Sequence, residues 1–354
     1  MNNGYWEGIE PPMLVGVISN TSATTALCFD GLSGLDPKIT FRFIDPYKRD
    51  ASAMDDCDVL IFVRHLFMPA YKEAFEQAQI RGKPVYLLID DNFVTLAGEK
   101  QANPVDNEIF RPYAQPIFKE TLAKIDGILS ASRALTEFFR PYHPTILPFS
   151  AVSDRTITPI RSAPTDDLRV GFFGGAFRAE AFKDDVLPAL KSIAERWPVT
   201  LFAAPHVEKI REQIDCDGLR LVTVPFHHDF REFIAEWQAL ELHAAVHPKG
   251  NSQNVKYKTA NAVLVSHYLG AVPVLPDEAA YAGLGETDGV LKIGGARNLS
   301  KVMARIETAS QRDLLLAGLA RFCETAFDPT ANMETVRRLR RDFSPVSQFQ
   351  VRYR

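Results

Sequence analysis

Short apolar runs recur along the chain, and polar turns and helical patterns separate them. In the first half, the runs that predict strands are Met13–Ser19, Ile39–Asp45, Asp58–Val63, Pro84–Ile89, Gly127–Ser132 and Thr145–Phe149. The patterns between them predict helices at Pro69–Arg81, Asp106–Lys124 and Arg133–Arg140, and a loop at Phe93–Pro104. Strands that alternate with helices in this way indicate a doubly wound parallel sheet.

The alternation stops at Ser150–Asp167, which is rich in Ser, Thr, Pro and Asp, and then it restarts. The strands predicted after the restart are Leu168–Phe173, Val199–Ala204, Leu219–Val224, Leu240–His247, Ala271–Leu275 and Val290–Ile293. Helices are predicted at Phe182–Arg196 and His206–Ile214, and Leu299–Phe343 is almost wholly helical by pattern. The pattern therefore predicts an α/β protein with two Rossmann-like, doubly wound parallel-sheet domains that face a cleft.

The predicted boundaries place a first domain at residues 1–150, a linker at 151–167, a second domain at 168–328 and a helical tail at 329–354. A chain of 354 residues exceeds the usual size of a single hydrophobic core, which agrees with two domains. The net charge of −4 argues against a large nucleic-acid footprint.

The four cysteines are widely scattered and form no C-x-x-C pair, so neither a zinc site nor a disulfide framework is predicted. The polar start of the chain does not read as a signal peptide. No apolar run reaches the roughly 18 residues that a membrane span needs. These features predict a cytoplasmic protein. The basic run Arg337–Arg341 is best interpreted as the solvated face of a helix. The alternative is that it makes peripheral contact with anionic lipid at the inner face of the membrane.

The segment Asn254–Glu278 carries the clearest chemical signal. It reads as a basic loop, a helix of small and apolar residues, a turn at Gly270, and a buried strand that ends in acidic residues. Lys256, Lys258 and Asn261 stand at the predicted helix entrance, where free N–H groups favour an anion. A phosphate site is therefore predicted here, although two solvated lysines would also explain the pattern.

This segment resembles the nucleotide-sugar-binding stretch of GT-B fold glycosyltransferases, of the group 1 or family 4 type. Gly270, Pro273, Val274 and Glu278 match the family's G-x-P-V turn and the acidic residue after the strand. Many retaining members carry two glutamates where this chain has the two lysines and Asn261, so the donor sugar and the stereochemical course stay open. The resemblance is best over residues 168–278, and it implies a tail that crosses back onto the first domain.

A second phosphate-binding pattern follows the first strand of the second half. Gly174 and Gly175 end that strand, and Arg178 and Lys183 come after them. Glycines let backbone N–H groups approach a phosphate closely. The spacing resembles that of the family's Arg and Lys, which both contact the donor phosphates. His247, which a proline follows, resembles the His-Pro pair that contacts a CMP phosphate in sialyl- and Kdo-transferases.

The candidates for catalysis end two strands of the first half. Asp90 and Asp91 follow one strand, and a carboxylate there is suited to act as a general base on an acceptor hydroxyl. Adjacent strand positions point in opposite directions, so at most one of the two is expected to face the cleft. His65 ends the preceding strand and is the other natural base near neutral pH. No spacing of His, Cys or Glu predicts a metal site.

Together these features predict a glycosyltransferase that moves a sugar from a nucleotide-activated donor to a glycan, lipid-linked or small-molecule acceptor. No protein-bound cofactor is expected, because the nucleotide-sugar is a co-substrate, and its base is not specified. Two alternatives stay open: another cleft enzyme on the same plan, such as a sugar epimerase or a pyruvyl transferase, and a non-catalytic module that binds a nucleotide-sugar or a partner.

Overall fold

The computed structural model describes residues 11–20, 22–99, 104–162, 165–294 and 296–341. Within these residues the chain forms two six-stranded sheets, and every strand pairing in them is parallel. The strands of the first sheet are β1 (Met13–Ile18), β2 (Ile39–Ile44), β3 (Val59–Val63), β4 (Val85–Ile89), β5 (Gly127–Ser130) and β6 (Ile146–Pro148). Those of the second are β7 (Leu168–Phe172), β8 (Val199–Ala203), β9 (Leu219–Thr223), β10 (Ala244–Val246), β11 (Val272–Pro276) and β12 (Leu291–Ile293).

Helices connect these strands. Those of the first half are α1 (Ser22–Phe29), α2 (Pro69–Ile80), α3 (Phe93–Ala97), α4 (Pro104–Phe110), α5 (Pro116–Leu122) and α6 (Arg133–Phe139). Those of the second half are α7 (Ala179–Ala181), α8 (Leu187–Ala194), α9 (Arg211–Ile214), α10 (Phe230–Gln238), α11 (Asn261–Tyr268), α12 (Ala296–Met303), α13 (Ala309–Ala326) and α14 (Thr330–Arg341). The predicted fold class, two Rossmann-like domains with a helical C-terminal region, is confirmed.

The strand order fixes where a ligand is expected in each sheet. The second sheet has the order β12-β11-β10-β7-β8-β9, and the first has β2-β1-β3-β4-β5-β6. The order in which the chain adds strands therefore reverses between β7 and β10 in the second sheet, and between β1 and β3 in the first. Open α/β sheets bind ligands outside the carboxyl ends of the strands at such switch points. The residues that follow β3, β7 and β10 consequently occupy the ligand-binding edges.

The last helix packs on the first sheet rather than on the second. Met333, Val336 and Leu339 of α14 are buried in the same apolar cluster as residues of β1 and β3. Arg337 pairs with Asp36 of the first half, with 2.9 Å between Nη2 and Oδ2. Part of the basic run therefore contacts protein, and the predicted membrane contact stays a prediction. Residues 1–10 and 342–354, which belong to the predicted first domain and tail, lie outside the described residues, and the domain limits also stay predictions.

Two predictions about the helices of the first half were wrong. The predicted loop at Phe93–Pro104 begins with helix α3, because the Asn92 side chain accepts a hydrogen bond from the Thr95 N–H and caps the helix. The long helix predicted at Asp106–Lys124 is divided into α4, a 3₁₀ turn at Arg111–Ala114 and α5. The breaks coincide with Pro112 and Pro116, since proline cannot donate the backbone hydrogen bond of a continuing helix.

The helices of the second half depart from their predicted ranges in a related way. Most of the helix predicted at His206–Ile214 is a 3₁₀ turn, Pro205–Ile210, and only α9 is α-helical. The helix predicted at Phe182–Arg196 starts with a π-helical turn, Phe182–Val186, before α8. Pro188 lies in the first turn of α8, where its missing N–H costs least.

The turn between α11 and β11 generates a stability prediction. Gly270 has a φ of 64°, and a Cβ at this position would lie 1.9 Å from the backbone oxygen of Ile160 in the linker. We expect Gly270→Ala to lower the free energy of unfolding by about 2–5 kcal/mol, through the unfavourable φ and the overpacking. The matched control is Gly34→Ala, since Gly34 has a φ of 76° but a Cβ there meets no described atom within 4 Å.

Gly34→Ala should therefore cost only the conformational part, about 1–2 kcal/mol. Urea unfolding of both variants and the wild type measures the difference. Equal losses in the two variants would show that the close approach of the linker to Gly270 contributes nothing.

Candidate active site at the domain interface

A buried ion pair lies at the ligand-binding edge of the second sheet. Arg178, in the turn after β7, and Glu278, two residues after the end of β11, form two hydrogen bonds: Nη1 to Oε1 at 2.8 Å and Nη2 to Oε2 at 3.0 Å. The two side chains are only 1% and 2% exposed. The carboxylate also accepts the Gly250 N–H at 2.7 Å, and the guanidinium donates to the Pro248 carbonyl. Two of the predicted donor-binding residues are thus held against each other inside the domain.

Gly174 and His247 flank this pair at the switch point between β7 and β10. A Cβ on Gly174 would lie 2.7 Å from the Phe172 ring, 3.2 Å from Arg178 Cδ and 3.5 Å from His247 Nδ1. Glycine is therefore needed here for close packing. His247 Nδ1 and Arg178 Nε are buried and have no hydrogen-bond partner among the described residues. Burial, and then the charges of Arg178 and Lys258, hold the pKa of His247 well below its ordinary value, so its ring is neutral.

The two predicted lysines precede the helix rather than entering it. A 3₁₀ turn, Gln253–Tyr257, comes before α11, which begins only at Asn261. Lys256 is exposed and lies over the Tyr257 ring, with 4.9 Å from Nζ to the ring centroid. Lys258 is directed towards the first domain. The expected placement of both lysines at the helix N-terminus was therefore wrong, because Thr259 and Ala260 intervene and the polypeptide first crosses to the other domain.

Residues 252–258, which we call the docking segment, pack against the first domain. Tyr257 is 7% exposed and belongs to the apolar core of that domain, where its ring contacts Phe138. Ser132 Oγ donates to the Tyr257 carbonyl at 2.8 Å. At the other end of the segment, Glu99 accepts hydrogen bonds from Ser252 Oγ at 2.8 Å and from the Gln253 N–H at 2.6 Å. The segment that carries the lysines therefore joins the two domains.

Asp91 is the centre of the polar contacts between the domains. Its Oδ1 accepts Lys258 Nζ at 2.5 Å and Asn254 Nδ2 at 2.8 Å, both from the docking segment. Its Oδ2 accepts Arg64 Nη2 at 2.9 Å, from its own domain. Burial alone would raise the pKa of the Asp91 carboxyl, but Lys258 and Arg64 hold it below its usual value. Asp91 is therefore ionised, and its oxygens are already occupied.

Asp90 contacts the same arginine. Its Oδ1 lies 3.1 Å from Arg64 Nε, and its Oδ2 accepts Thr24 Oγ1 at 2.8 Å. The prediction that at most one of the two aspartates faces the cleft assumed a continuing strand. Because β4 ends at Ile89, the alternation of side chains ends there too, and both carboxylates reach Arg64.

Arg64 itself was not singled out by the sequence. It has a φ of 69°, and such a conformation costs about 1–2 kcal/mol for a residue with a side chain. Its carbonyl accepts the Tyr113 hydroxyl at 2.8 Å, which fixes this turn. Backbone strain of this kind is concentrated at functional sites, and here it lies at the carboxyl end of β3.

His65 lies in an aromatic environment. Its ring stacks on Phe93 with centroids 5.5 Å apart, and it meets the edge of Tyr71 at the same separation. Burial and the neighbouring charge of Arg64 lower the pKa of His65 to about 3. The imidazole is consequently neutral and weakly basic at physiological pH, which removes the reason for which the sequence favoured it as a base.

A cavity of about 460 Å³ opens between the two domains beside the docking segment. The second domain contributes Lys256, Lys258 and Asn261, and the first contributes Ser132 and Arg133. Ser150, Thr259 and Glu137 also line the cavity, and the remaining lining residues are alanines and phenylalanines: Ala131, Ala134, Ala151, Ala260, Ala279, Ala280, Ala326, Phe322 and Phe327. We call this the hinge pocket. Its volume is within the range of small-molecule sites, and its polar lining carries three cations and one acidic residue, Glu137.

The predicted site residues thus fall into three groups. Gly174, Arg178, His247 and Glu278 form the buried cluster of the second domain, while Lys256, Lys258 and Asn261 line the hinge pocket. The Phe177 ring connects these two groups, because it lies 4.9 Å from Arg178 Cζ and 5.7 Å from Lys258 Nζ. The third group, Asp90 and Asp91, is connected to the hinge pocket through the contact of Asp91 with Lys258. His65 belongs to none of these groups and packs against Phe93 and Tyr71.

Two predicted site residues make no contribution to these three groups. Gly175 packs beside Phe177, and Lys183 is exposed on the π-helical turn, with no hydrogen bond or ion pair to the cluster among the described contacts. Asn254 and Tyr257 were not predicted as site residues from the sequence. An aromatic residue between two lysines was the available sign that this loop packs against something.

Two further properties concern the described residues as a whole. No group of three or more His, Cys, Asp or Glu side chains in this part of the chain is arranged to hold a metal ion. None of its helices is both long enough and apolar enough to cross a membrane.

No protein-family model matches the chain, and no curated protein matches it in sequence. A DNA-modifying β-glucosyltransferase, solved with and without uridine diphosphoglucose, aligns with a TM-score of 0.57 and 12% identity over 94% of this chain and 100% of its own. TarM aligns with a TM-score of 0.56 and 11% identity over 80% of this chain.

The chain spans only 55% of the length of TarM, whose S. aureus form has been crystallised with UDP. A putative UDP-N-acetylglucosamine 2-epimerase from Listeria monocytogenes aligns with a TM-score of 0.55 and 11% identity, over 95% of this chain and 98% of its own. At these identities the likeness shows the fold. The chain has the GT-B fold, as the resemblance in its sequence implied.

The buried ion pair of the second domain generates a second stability prediction. In Glu278→Gln the Arg178 guanidinium would keep its burial and lose its counter-charge, so we expect a loss of about 3–5 kcal/mol in unfolding free energy. The control is Glu137→Gln, which removes the charged partner of Arg133. This pair is on the surface, since the Glu137 side chain is 54% exposed and the Arg133 side chain is 91% exposed. Such a pair contributes about 0–1 kcal/mol.

Urea unfolding measures both variants. Similar midpoints for the two would contradict the structural role of the buried pair.

Proposed function

We propose that the protein is a glycosyltransferase that transfers a sugar from a nucleotide-sugar to a hydroxyl of a glycan, lipid-linked or small-molecule acceptor. The observation that carries the proposal is the contact between Lys258, one of the three cations that line the hinge pocket, and Asp91, which lies beside Asp90 after β4, at the interface between the two halves of a GT-B fold. Cations suit the phosphates of a nucleotide, and a carboxylate suits the acceptor hydroxyl.

On the donor side, Lys256 and Lys258 would bind the phosphates, and Asn261 would contact the nucleotide or sugar. Asn261 Oδ1 is buried without a partner among the described residues, so it can accept a hydrogen bond from a ligand hydroxyl. Lysines beside a leaving phosphate stabilise the charge that develops as the glycosidic bond breaks. Arg178 is bound to Glu278, so we assign it the role of fixing the strand ends around Gly174 and His247.

On the acceptor side, Asp90 is the best candidate for the general base. Asp91 is held by three hydrogen-bond donors, and His65 has a pKa near 3. Asp90 contacts only Thr24 and Arg64 in the described structure, and its side chain is 12% exposed.

A sugar epimerase is the second candidate, because the Listeria monocytogenes neighbour spans nearly the whole chain with a similar TM-score. Turnover of a nucleotide-sugar with and without acceptor separates the two reactions, since an epimerase needs no acceptor. A non-catalytic binding module would bind the nucleotide and release none from a nucleotide-sugar.

The donor site predicts selective losses of affinity. Lys256→Ala and Lys258→Ala should each weaken the binding of UDP about tenfold to a hundredfold, because one charge-assisted hydrogen bond is worth about 1.5–3 kcal/mol. Uridine, which lacks the phosphates, should bind equally to all variants. Lys124→Ala removes an exposed lysine of the first half and serves as the control. Calorimetric titration, repeated with GDP, dTDP and CMP, provides the measurement.

If both lysine variants bind every nucleotide that the wild type binds with unchanged affinity, the phosphates bind elsewhere. A wild type that binds none of the four nucleotides would sink the proposed function.

The acceptor side predicts a loss of rate rather than of affinity. Asp90→Asn should reduce turnover about 10²- to 10⁴-fold, the usual contribution of a general base, while UDP affinity changes little. His65→Gln should cost much less, and the pH profile should show no step from His65 near the ordinary histidine pKa of 6.5, because its pKa is lowered to about 3.

Release of free nucleotide from UDP-, GDP-, dTDP- and CMP-sugars in the presence of acceptor measures the rate. Full turnover in Asp90→Asn would place the base elsewhere.

A further inference from the structure

Asp91 contacts the docking segment as a phosphate group would. One of its oxygens accepts two hydrogen bonds from the second domain, and the other accepts one from the first. The side chains of Asp91 and Lys258 are 9% and 28% exposed, so their ion pair is shielded from water on most sides. Shielding of this kind strengthens the attraction between opposite charges. A first-domain carboxylate therefore occupies the lysine that we assigned to the donor phosphates.

Lys258 also borders the hinge pocket. A phosphate oxygen that enters the pocket and binds Lys258 Nζ must compete with Asp91 Oδ1 for the same ammonium group. Lysine has three N–H donors, but those aimed at Asp91 cannot serve the phosphate equally well at the same time. Binding of an anion in the pocket and the contact between Lys258 and Asp91 therefore oppose each other.

We propose that Asp91 is an internal substitute for the donor phosphate, which holds Lys258 and the docking segment against the first domain until a nucleotide displaces it. The proposal rests on the donor site proposed above. It makes donor binding and release of the Lys258–Asp91 contact one coupled equilibrium. Because coupling free energy is reciprocal, a change on the Asp91 side that weakens the contact and leaves Lys258 in place strengthens anion binding.

The remaining contacts of the docking segment show which parts of it stay bound to the first domain when Lys258 is released and which parts loosen. Tyr257 is anchored in the apolar core of the first domain, and Ser132 holds its carbonyl. An anion in the pocket does not compete for these neutral contacts. Release of Lys258 can consequently occur around Tyr257 as a fixed point, whereas the contacts of Asn254 with Asp91 and of the segment start with Glu99 are the ones that loosen.

The first test compares the affinities of variants. Asp91→Asn keeps the shape of the side chain and its ability to accept from Asn254, but it removes the charge that competes for Lys258. Both UDP and inorganic pyrophosphate should bind about tenfold more tightly to this variant, within the usual range of coupling between sites. Asp90→Asn removes the same charge from the adjacent residue, which contacts Arg64 and not Lys258, and should leave both affinities nearly unchanged.

A second variant covers the case in which Asp91→Asn does not fold. Glu99→Gln weakens the hold on residues 252 and 253 without altering Lys258, and should also tighten UDP binding, by a smaller factor. Equal affinities of the wild type, Asp91→Asn and Glu99→Gln for UDP would overturn the proposal and leave the donor site standing. No binding by the wild type and by any variant would overturn the donor site and the proposal together.

A distance measurement gives an independent result. Cys216 is exposed on the second half, whereas Cys28, Cys57 and Cys323 are buried, so spin labels at Cys216 and at Lys72→Cys in α2 report on both domains. We expect UDP to change the distribution of distances between the labels, and Asp91→Asn to change it in the same direction without ligand. A distribution that neither UDP nor the substitution alters would contradict a release of the docking segment.

Discussion

The ion pair between Lys258 and Asp91 is the contact on which the arrangement of the interface depends. It places a cation from the second domain 2.5 Å from a carboxylate of the first. Opposite charges at such a distance attract strongly where water is largely excluded. Asp91 can receive it because β4 ends at Ile89, so that both aspartates turn towards Arg64 and Asp91 also reaches the docking segment. The end of one strand thereby determines how the two domains meet.

Stability does not explain why the site contains so many buried charges. Two charges lose their favourable hydration free energy when they are taken out of water, and their mutual attraction does little more than compensate for that loss. Apolar residues of the same size often stabilise a protein equally well. The pair of Arg178 and Glu278 has this character, since its side chains are 1% and 2% exposed. What the pair does provide is a fixed position for the turn after β7 and the turn after β11 at the ligand-binding edge. Preorganised polar groups of this kind stabilise developing charge without reorganising during a reaction.

The sequence was informative where one local signal decided the structure. Apolar runs such as that of β4, whose five residues are all buried, identified the strands, and their alternation with helices identified the two-sheet plan. The prediction of helix boundaries failed at prolines. The apolar pattern of a helix continues across Pro112 and Pro116, whereas the backbone hydrogen bonds of the helix are interrupted there. The chemistry at strand ends was partly visible as well. Arg178 and Glu278 were both singled out, but only the structure shows that they bind each other.

The contacts between the domains could not be predicted from the sequence. The partners of Asp91 lie far away along the chain: Asn254 is 163 positions from it, and no local pattern encodes that pairing. Tyr257 stands between two lysines, where its burial in the other domain contradicts the polarity of its neighbours. The left-handed conformation of Arg64 has no composition signal either, because it results from the tertiary contacts that hold the turn.

The balance of charges at Asp90 and Asp91 connects the two halves of the proposed reaction. In the structure, Arg64 and Lys258 face two carboxylates, so the group is neutral. If a phosphate takes Lys258, as we propose, the two carboxylates are left to share Arg64. Nucleotide binding would then change the set of charges around Asp90 without a direct contact between Asp90 and the nucleotide. A carboxylate that competes for the donor lysine in this way connects the donor site to the residue that we propose for the acceptor side.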